Sequence, residues 1–133
     1  MSVQRFLLTK PVLEKLKEKG CKLAVASNRP SSFSDSLLKK LKIAQYFSLV
    51  LCADKINSYK PNPKILFLIM KKLNLPPEET IYVGDMALDA ETGRKAEVKT
   101  IIVLTGSSNR EEVIAENPFK IINQISEILS FID

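Results

Sequence analysis

Asp85 and Asp89 stand four residues apart in Tyr82-Val83-Gly84-Asp85-Met86-Ala87-Leu88-Asp89, where an apolar run ends in a glycine and two carboxylates follow. Asp85 falls where a strand would end and the backbone turn. Asp89 falls one turn into the next helix, so both side chains can project toward one point. Hard oxygen donors in this arrangement suit Mg²⁺, which takes one or two carboxylates and keeps its other positions for water and phosphate. Two more loops offer compatible chemistry. Ser27, with Asn28 after it, could give a hydroxyl and a backbone amide to a phosphoryl oxygen, though a lone serine is as readily a cap or turn residue. Lys60, in Lys60-Pro61-Asn62-Pro63, is held extended by the proline behind it. Its ammonium could then reach back across the strand ends toward a phosphate, although a lone lysine before a helix is usually solvated. An attacking acid is harder to find, because no Asp or Glu precedes Glu14.

These residues need a scaffold, and the remaining chain reads as an alternation of helices and strands. Residues 11–19 are amphipathic, with Val12, Leu13 and Leu16 on one face and Gly20 placed to end the helix. Strands are expected at 23–26, 49–52, 81–83 and 100–104. Helices are expected at 34–41, at 63–73 up to the Pro76-Pro77 break, at 87–95, and in the tail at 111–115 and 123–131. Apolar strands separated by helices indicate a parallel sheet covered on both faces. Ligands collect at the carboxyl ends of such strands, which is where Ser27-Asn28, the loop 54–60 and Gly84-Asp85 all fall. The helix around residues 65–70 is apolar on nearly its whole circumference, implying burial on more than one side. Core packing accounts for that simply, and a self-association face is the sharper expectation.

Composition narrows the classes. The chain has 133 residues, of which 45% are hydrophobic and 26% charged, which fits one globular domain. The net charge of +5 is spread over Lys15, Lys17, Lys19, Lys39, Lys40, Lys71 and Lys72, a pattern of solvated helix faces and not of a nucleic-acid stripe. Two cysteines, Cys21 and Cys52, sit beside apolar runs without a metal-binding spacing and read as reduced, buried thiols. No apolar run is long enough to span a bilayer, so neither a membrane nor a nucleic acid is expected as partner, and a cytoplasmic location is. Histidine is absent, which removes imidazole bases and histidine-ligated zinc from consideration.

Together, Val25-Ala26-Ser27-Asn28, Lys60-Pro61-Asn62-Pro63 and Gly84-Asp85-Met86-Ala87-Leu88-Asp89 resemble the second, third and fourth motifs of the haloacid-dehalogenase-like hydrolases, closest to the phosphoglycolate-phosphatase-type branch. The resemblance spans residues 11–106. It implies an α/β fold, a three-layer Rossmann-like parallel sheet with helices on both faces, and Mg²⁺-dependent hydrolysis of a phosphomonoester through an aspartyl-phosphate. By resemblance Ser27 and Asn28 bind the phosphoryl group, Lys60 neutralises phosphate and nucleophile, and Asp85 with Asp89 holds Mg²⁺. A receiver-type signalling domain shares the alternating architecture, but its motif order does not match.

The family's first motif, a strand ending in two aspartates around a spacer and then a threonine, has no counterpart. Residues 1–10 resemble instead the connection from a helical cap into the core, and Thr9-Lys10-Pro11 offers nothing to attack phosphorus. The expected protein is thus a single core domain over 1–133 lacking the first strand, the cap, the nucleophile and one metal ligand. In the family that strand lies mid-sheet, between the counterparts of residues 23–26 and 81–83. Its removal leaves a slot roughly 10 Å wide, and each unpaired buried amide or carbonyl costs ~1 to 3 kcal/mol. The slot is expected to be filled by the amino-terminal residues, by a second copy in a homodimer or by a complementing fragment, or to close by direct pairing. Two functional classes follow: a phosphatase-type hydrolase of a small phosphorylated metabolite that is inactive as this chain alone, or a noncatalytic phosphate-, metal- or protein-binding module.

Overall fold

The computed structural model describes residues 3–104 and 109–132. The first two residues of the expected cap connection, and the last two of the resemblance at 105 and 106, lie outside the described residues.

The chain opens with α1 (Val3–Glu18), continuous through Pro11. The sequence expectation began this helix at the proline, whose ring suits a first turn. Instead Pro11 is carried in the interior, at the loss of one helical hydrogen bond. The other end behaves as expected: Gly20 adopts φ +85°, its N–H donates to Lys17 O and that of Cys21 to Leu16 O. This is the paired arrangement that lets a left-handed glycine close a helix.

β1 (Ala24–Ser27), α2 (Ser31–Lys40), β2 (Leu49–Cys52), a one-turn helix α3 (Ala53–Ile56) and α4 (Lys64–Leu73) follow. After them come β3 (Ile81–Gly84), α5 (Ala87–Ala96), β4 (Lys99–Val103), α6 (Arg110–Ala115), β5 (Lys120–Ile122) and a 3₁₀ stretch, Ile125–Phe131. The strand β5 was not foreseen, and the tail helix expected over 123–131 is 3₁₀ in form. α4 ends on Asn74 in the left-handed region, with Leu75 N–H reaching Met70 O, so the stop comes before the Pro76-Pro77 pair. Nor is α4 buried all round. Ile65, Leu66, Ile69 and Met70 are buried on neighbouring turns, whereas Phe67 falls on the far side and is 49% exposed.

All strand pairs are parallel, but they form two sheets, β1-β2 and β3-β4-β5. Direct closure of the slot is therefore not the solution adopted, and residues 3–10, being helical, do not enter it as a strand. Helices connect the halves. On one face α4 packs Ile65, Leu66, Ile69 and Met70 against Leu51, Tyr82, Ala96 and Val98, with Ala24 and Ala26 alongside. On the other, Val12 and Leu16 of α1 pack on Ile101, Val103, Ile122 and Ile128, while Leu13 joins the cluster of Leu38, Leu41 and Ile43 beneath β1 and β2. The interior strand β4 buries four of its five residues, whereas β1 is half-buried throughout and β3 at three of four positions. Solvent reaches both of these strands. Cys52 is buried and Cys21 half-buried, both as free thiols. Among the described residues no helix is long and apolar enough to cross a membrane.

Candidate functional site

Three strand-end loops meet around the side chain of Lys60. Its Nζ donates to Asp89 Oδ1 at 2.9 Å, to the Tyr82 hydroxyl at 3.0 Å and to the Ala26 carbonyl at 3.3 Å. The ammonium carries three protons, and each has an acceptor. Lys60 and Asp89 form an ion pair with side chains only 11% and 7% exposed. In such surroundings a charge persists only when paired and hydrogen-bonded.

Asp89 is as fully engaged as Lys60. Oδ1 also accepts from the Tyr82 hydroxyl at 2.8 Å, and Oδ2 accepts from the backbone N–H groups of Asp85 and Met86 at 3.1 and 3.2 Å. A carboxylate has about four acceptor positions, and four donors occupy them. Two of these are backbone N–H groups just ahead of the first residue of α5, so Asp89 fixes the turn out of β3 as well as balancing Lys60. The fit requires Gly84, since a Cβ there would collide with Cβ, Cγ and Oδ2 of Asp89.

The backbone of Lys60 is held by Asn28. The Lys60 N–H donates to Asn28 Oδ1 at 2.8 Å, and Asn28 Nδ2 donates to Lys60 O at 3.2 Å. The Lys60-Pro61 peptide bond is cis. Asn28 thus reaches from the end of β1 to the loop before α4. Ser27 lies half-buried beside it, its Oγ accepting from Arg29 N–H at 3.0 Å and from the Ser34 hydroxyl at 3.5 Å. The far end of the loop after β1 is tied to α3 by Asp54, whose carboxylate takes the backbone N–H and hydroxyl of Ser31 at the start of α2. Those bonds hold the Asp54 carboxyl below its ordinary pKa.

Of the residues singled out from sequence, Asn28, Lys60, Asp85 and Asp89 belong to one connected network, and Ser27 adjoins it through Asn28. Tyr82 was missed as a member. Burial foremost, then the Asp89 carboxylate, push its phenol far above the ordinary tyrosine range, so it remains a donor. The signal was present: a tyrosine in an otherwise aliphatic buried strand needs a partner for its hydroxyl. Asn28, read as a phosphate ligand, uses both ends of its amide on the Lys60 main chain.

Among the described residues no group of three or more His, Cys, Asp or Glu side chains gathers. The candidate donors for a divalent ion are the two carboxylates at the end of β3. Asp89 has its oxygens on four protein donors, while Asp85 is half-buried at the rim. Mg²⁺ needs only one or two protein carboxylates, and the two carboxylates at the end of β3 would suit that ion.

The family model described as haloacid dehalogenase-like hydrolase matches residues 2–103. A phosphoglycolate phosphatase of Pectobacterium atrosepticum is 32% identical over 127 residues, 96% of this chain and 54% of the relative. One from Pseudomonas fluorescens is 28% identical over 117 residues, 88% of this chain and 43% of the relative. The chain thus spans about half the length of the curated relatives it matches. Among solved structures, one described as a predicted phosphoglycolate phosphatase from Haemophilus somnus superposes with a TM-score of 0.88 at 26% identity, covering 93% of this chain and 55% of the other. A subfamily IA hydrolase of the same superfamily from Geobacter sulfurreducens superposes at 0.78 and 24% identity, over 92% and 57%, a likeness of fold alone.

Proposed function

The chain belongs to the haloacid dehalogenase-like hydrolase family, and from that premise we propose that its strand-end cluster is the phosphoryl-binding half of a phosphatase site for a small phosphorylated metabolite. In this reading the Ser27 hydroxyl and the start of the loop through Asn28 receive phosphoryl oxygens, and Lys60 neutralises their charge. Asp85, backed by Asp89, would hold Mg²⁺. When bound, that ion contributes charge neutralisation at the phosphoryl oxygens. Asn28 and Tyr82 act as positioning residues, one on the Lys60 backbone and the other on the Lys60–Asp89 pair.

The single observation carrying this reading is the placement of the Lys60 ammonium, in reach of Ala26, Tyr82 and Asp89 at once. A cation held at the carboxyl ends of parallel strands is where an anion would be met. What the cluster does not contribute is an attacking group. Phosphomonoester hydrolysis demands among the largest enzymatic accelerations, and positioning with charge neutralisation does not replace a nucleophile. The chain alone therefore binds but does not turn over. A homodimer or a complementing fragment would supply the rest, in a cytoplasm that keeps Cys21 and Cys52 reduced.

A second reading, a noncatalytic module for phosphate, metal or a protein, is favoured by one observation: every proton of the Lys60 ammonium already has an internal acceptor. Hydrolysis of a generic aryl phosphate with Mg²⁺ tests the proposal, with wild type compared with Asp85→Asn. The expected result is no turnover above background from either, with inorganic phosphate still binding the wild type. Metal-dependent turnover that disappears in Asp85→Asn would contradict the half-site proposal and make this chain a complete enzyme.

A further inference from the structure

The amino-terminal end of the three-stranded sheet carries a second gathering of charge. The register sets Lys99 level with Ile81, three residues before the Gly84↔Ile102 pair, so it lies about 10 Å along the strands from the turn that carries Asp85. Here a cleft of about 300 Å³ opens between the end of α5, the start of β4 and the loop before β5. Ala90, Val98, Pro118 and Phe119 form its apolar wall, and Glu97, Lys99 and Asn117 also line it. Arg94 borders the cleft too, but Glu116 already holds its guanidinium through Nε at 3.2 Å and Nη2 at 2.9 Å. Phe119 is fixed in place, its N–H donating to Thr100 O at 2.8 Å and its ring meeting Phe131 edge-on at 6.1 Å, yet it is 44% exposed. Two ammonium groups gather on that ring, Lys99 Nζ at 4.9 Å and Lys120 Nζ at 6.0 Å from its centre. Among the described residues the ion pairs are Lys60 with Asp89, Arg94 with Glu116 and Lys95 with Glu91, and neither Lys99 nor Lys120 joins one. Like charges drawn to one ring repel each other, and an exposed ring offsets little of that. An anion between them would.

We propose that this cleft binds an aromatic organic phosphate of the nucleoside monophosphate class, its phosphate on Lys99 and Lys120 and its flat base on the apolar wall. Each part of the ligand answers an observation. A bare inorganic anion would leave Ala90, Val98 and Pro118 without a partner and would meet the Glu97 carboxylate. A neutral ring would leave both ammonium groups without a countercharge. Glu97 accepts hydrogen bonds and Asn117 both gives and takes them, which suits the amine and hydroxyl groups of a nucleoside. Small-molecule sites combine these features, an apolar and aromatic lining with a few polar groups that orient the ligand. No residue of the cleft belongs to the Lys60 cluster, so the inference stands apart from the phosphatase reading, and its test uses no activity.

Amide chemical shifts of the full chain, titrated with adenosine monophosphate, read the cleft directly. Saturable shifts are expected at Val98, Lys99, Thr100, Asn117 and Phe119. Adenosine and inorganic phosphate each carry half of the chemistry, and each is expected to bind the cleft at least about tenfold more weakly. Replacing both exposed lysines, by Lys99→Gln with Lys120→Gln, should weaken the nucleotide by about tenfold or more. Four results would overturn the proposal. They are no saturation at the cleft amides, shifts confined to Ser27, Lys60 and Gly84, adenosine or inorganic phosphate binding the cleft as tightly as the nucleotide does, and a double lysine variant that binds like the wild type. The second would send the nucleotide to the carboxyl ends of the strands as one more phosphomonoester.

Discussion

Lys60 and Asp89, 29 residues apart in the chain, meet at 2.9 Å in an ion pair that is almost closed to solvent. The contact joins the loop before α4 to the first turn of α5, so it locks two of the three strand-end loops together.

Breaking this pair from one side strands a buried charge, which costs about 3–5 kcal/mol. Lys60→Met and Asp89→Asn are each expected to destabilise the chain by about that amount in chemical denaturation. The double variant should lose less than the sum of the two, since neither charge is then left alone. Strictly additive losses would show that the two side chains do not depend on each other.

Tyr82 gives the network a signature at high pH. Burial and Asp89 raise the phenol's pKa in the folded chain, so between its ordinary value of about 10 and that raised value the native state holds a proton the unfolded state has lost. Its contribution is fully present below about pH 10 and falls as pH climbs beyond. Tyr46, raised by its hydrogen bond to Glu14, acts in the same direction from the surface. Tyr82→Phe should therefore flatten the alkaline decline in stability without removing all of it, and cost about 1–2 kcal/mol at neutral pH through the hydrogen bond lost at Asp89. An alkaline limb unchanged in Tyr82→Phe would place the phenol outside the network.

Gly84→Ala brings a Cβ into the Asp89 side chain. Overpacking of this kind costs about 1–3 kcal/mol, and the displaced carboxylate would loosen its bonds to Asp85 and Met86. Thermal denaturation should show the loss, and Gly84→Ala combined with Asp89→Ala should lose less than the separate changes predict. Wild-type stability in Gly84→Ala would mean that the close approach is not required.

At the acid end, Asp54 is the reporter. Its bonds from Ser31 lower its folded pKa, so the contribution is present above the ordinary carboxylate range and lost as pH falls through the lowered value. Ser31→Ala removes the hydroxyl donor and should move the Asp54 titration, followed by carbon chemical shifts, upward toward the ordinary range while leaving one backbone N–H bond. A titration that stays where it was would assign the shift to other neighbours.

The residues that make the site were visible because strand-end positions impose local signatures: a glycine before an acid, a lysine before a proline, a small polar pair after an apolar run. β2 was legible to the residue as a short apolar run between Ser48 and Asp54. What escaped were features whose causes lie far away in sequence. β5 is a three-residue strand that exists because β4 offers it an edge, and no local period announces so short an element. α1 runs through Pro11 despite the lost hydrogen bond and the crowded turn that an interior proline brings, a case where local propensity is a weak guide. Asn28 was legible as a site residue, but its partner, the backbone of Lys60, comes only with the fold.

The most direct test of the convergence of Ser27, Lys60, Asp85 and Asp89 is an amide chemical-shift titration of the chain with Mg²⁺ and inorganic phosphate. Saturable shifts are predicted at Ser27, Asn28, Lys60, Gly84 and Asp85, with the Mg²⁺ response lost in Asp85→Asn and the phosphate response lost in Lys60→Met. Shifts confined to other surfaces, or no saturation with either ion, would contradict the account.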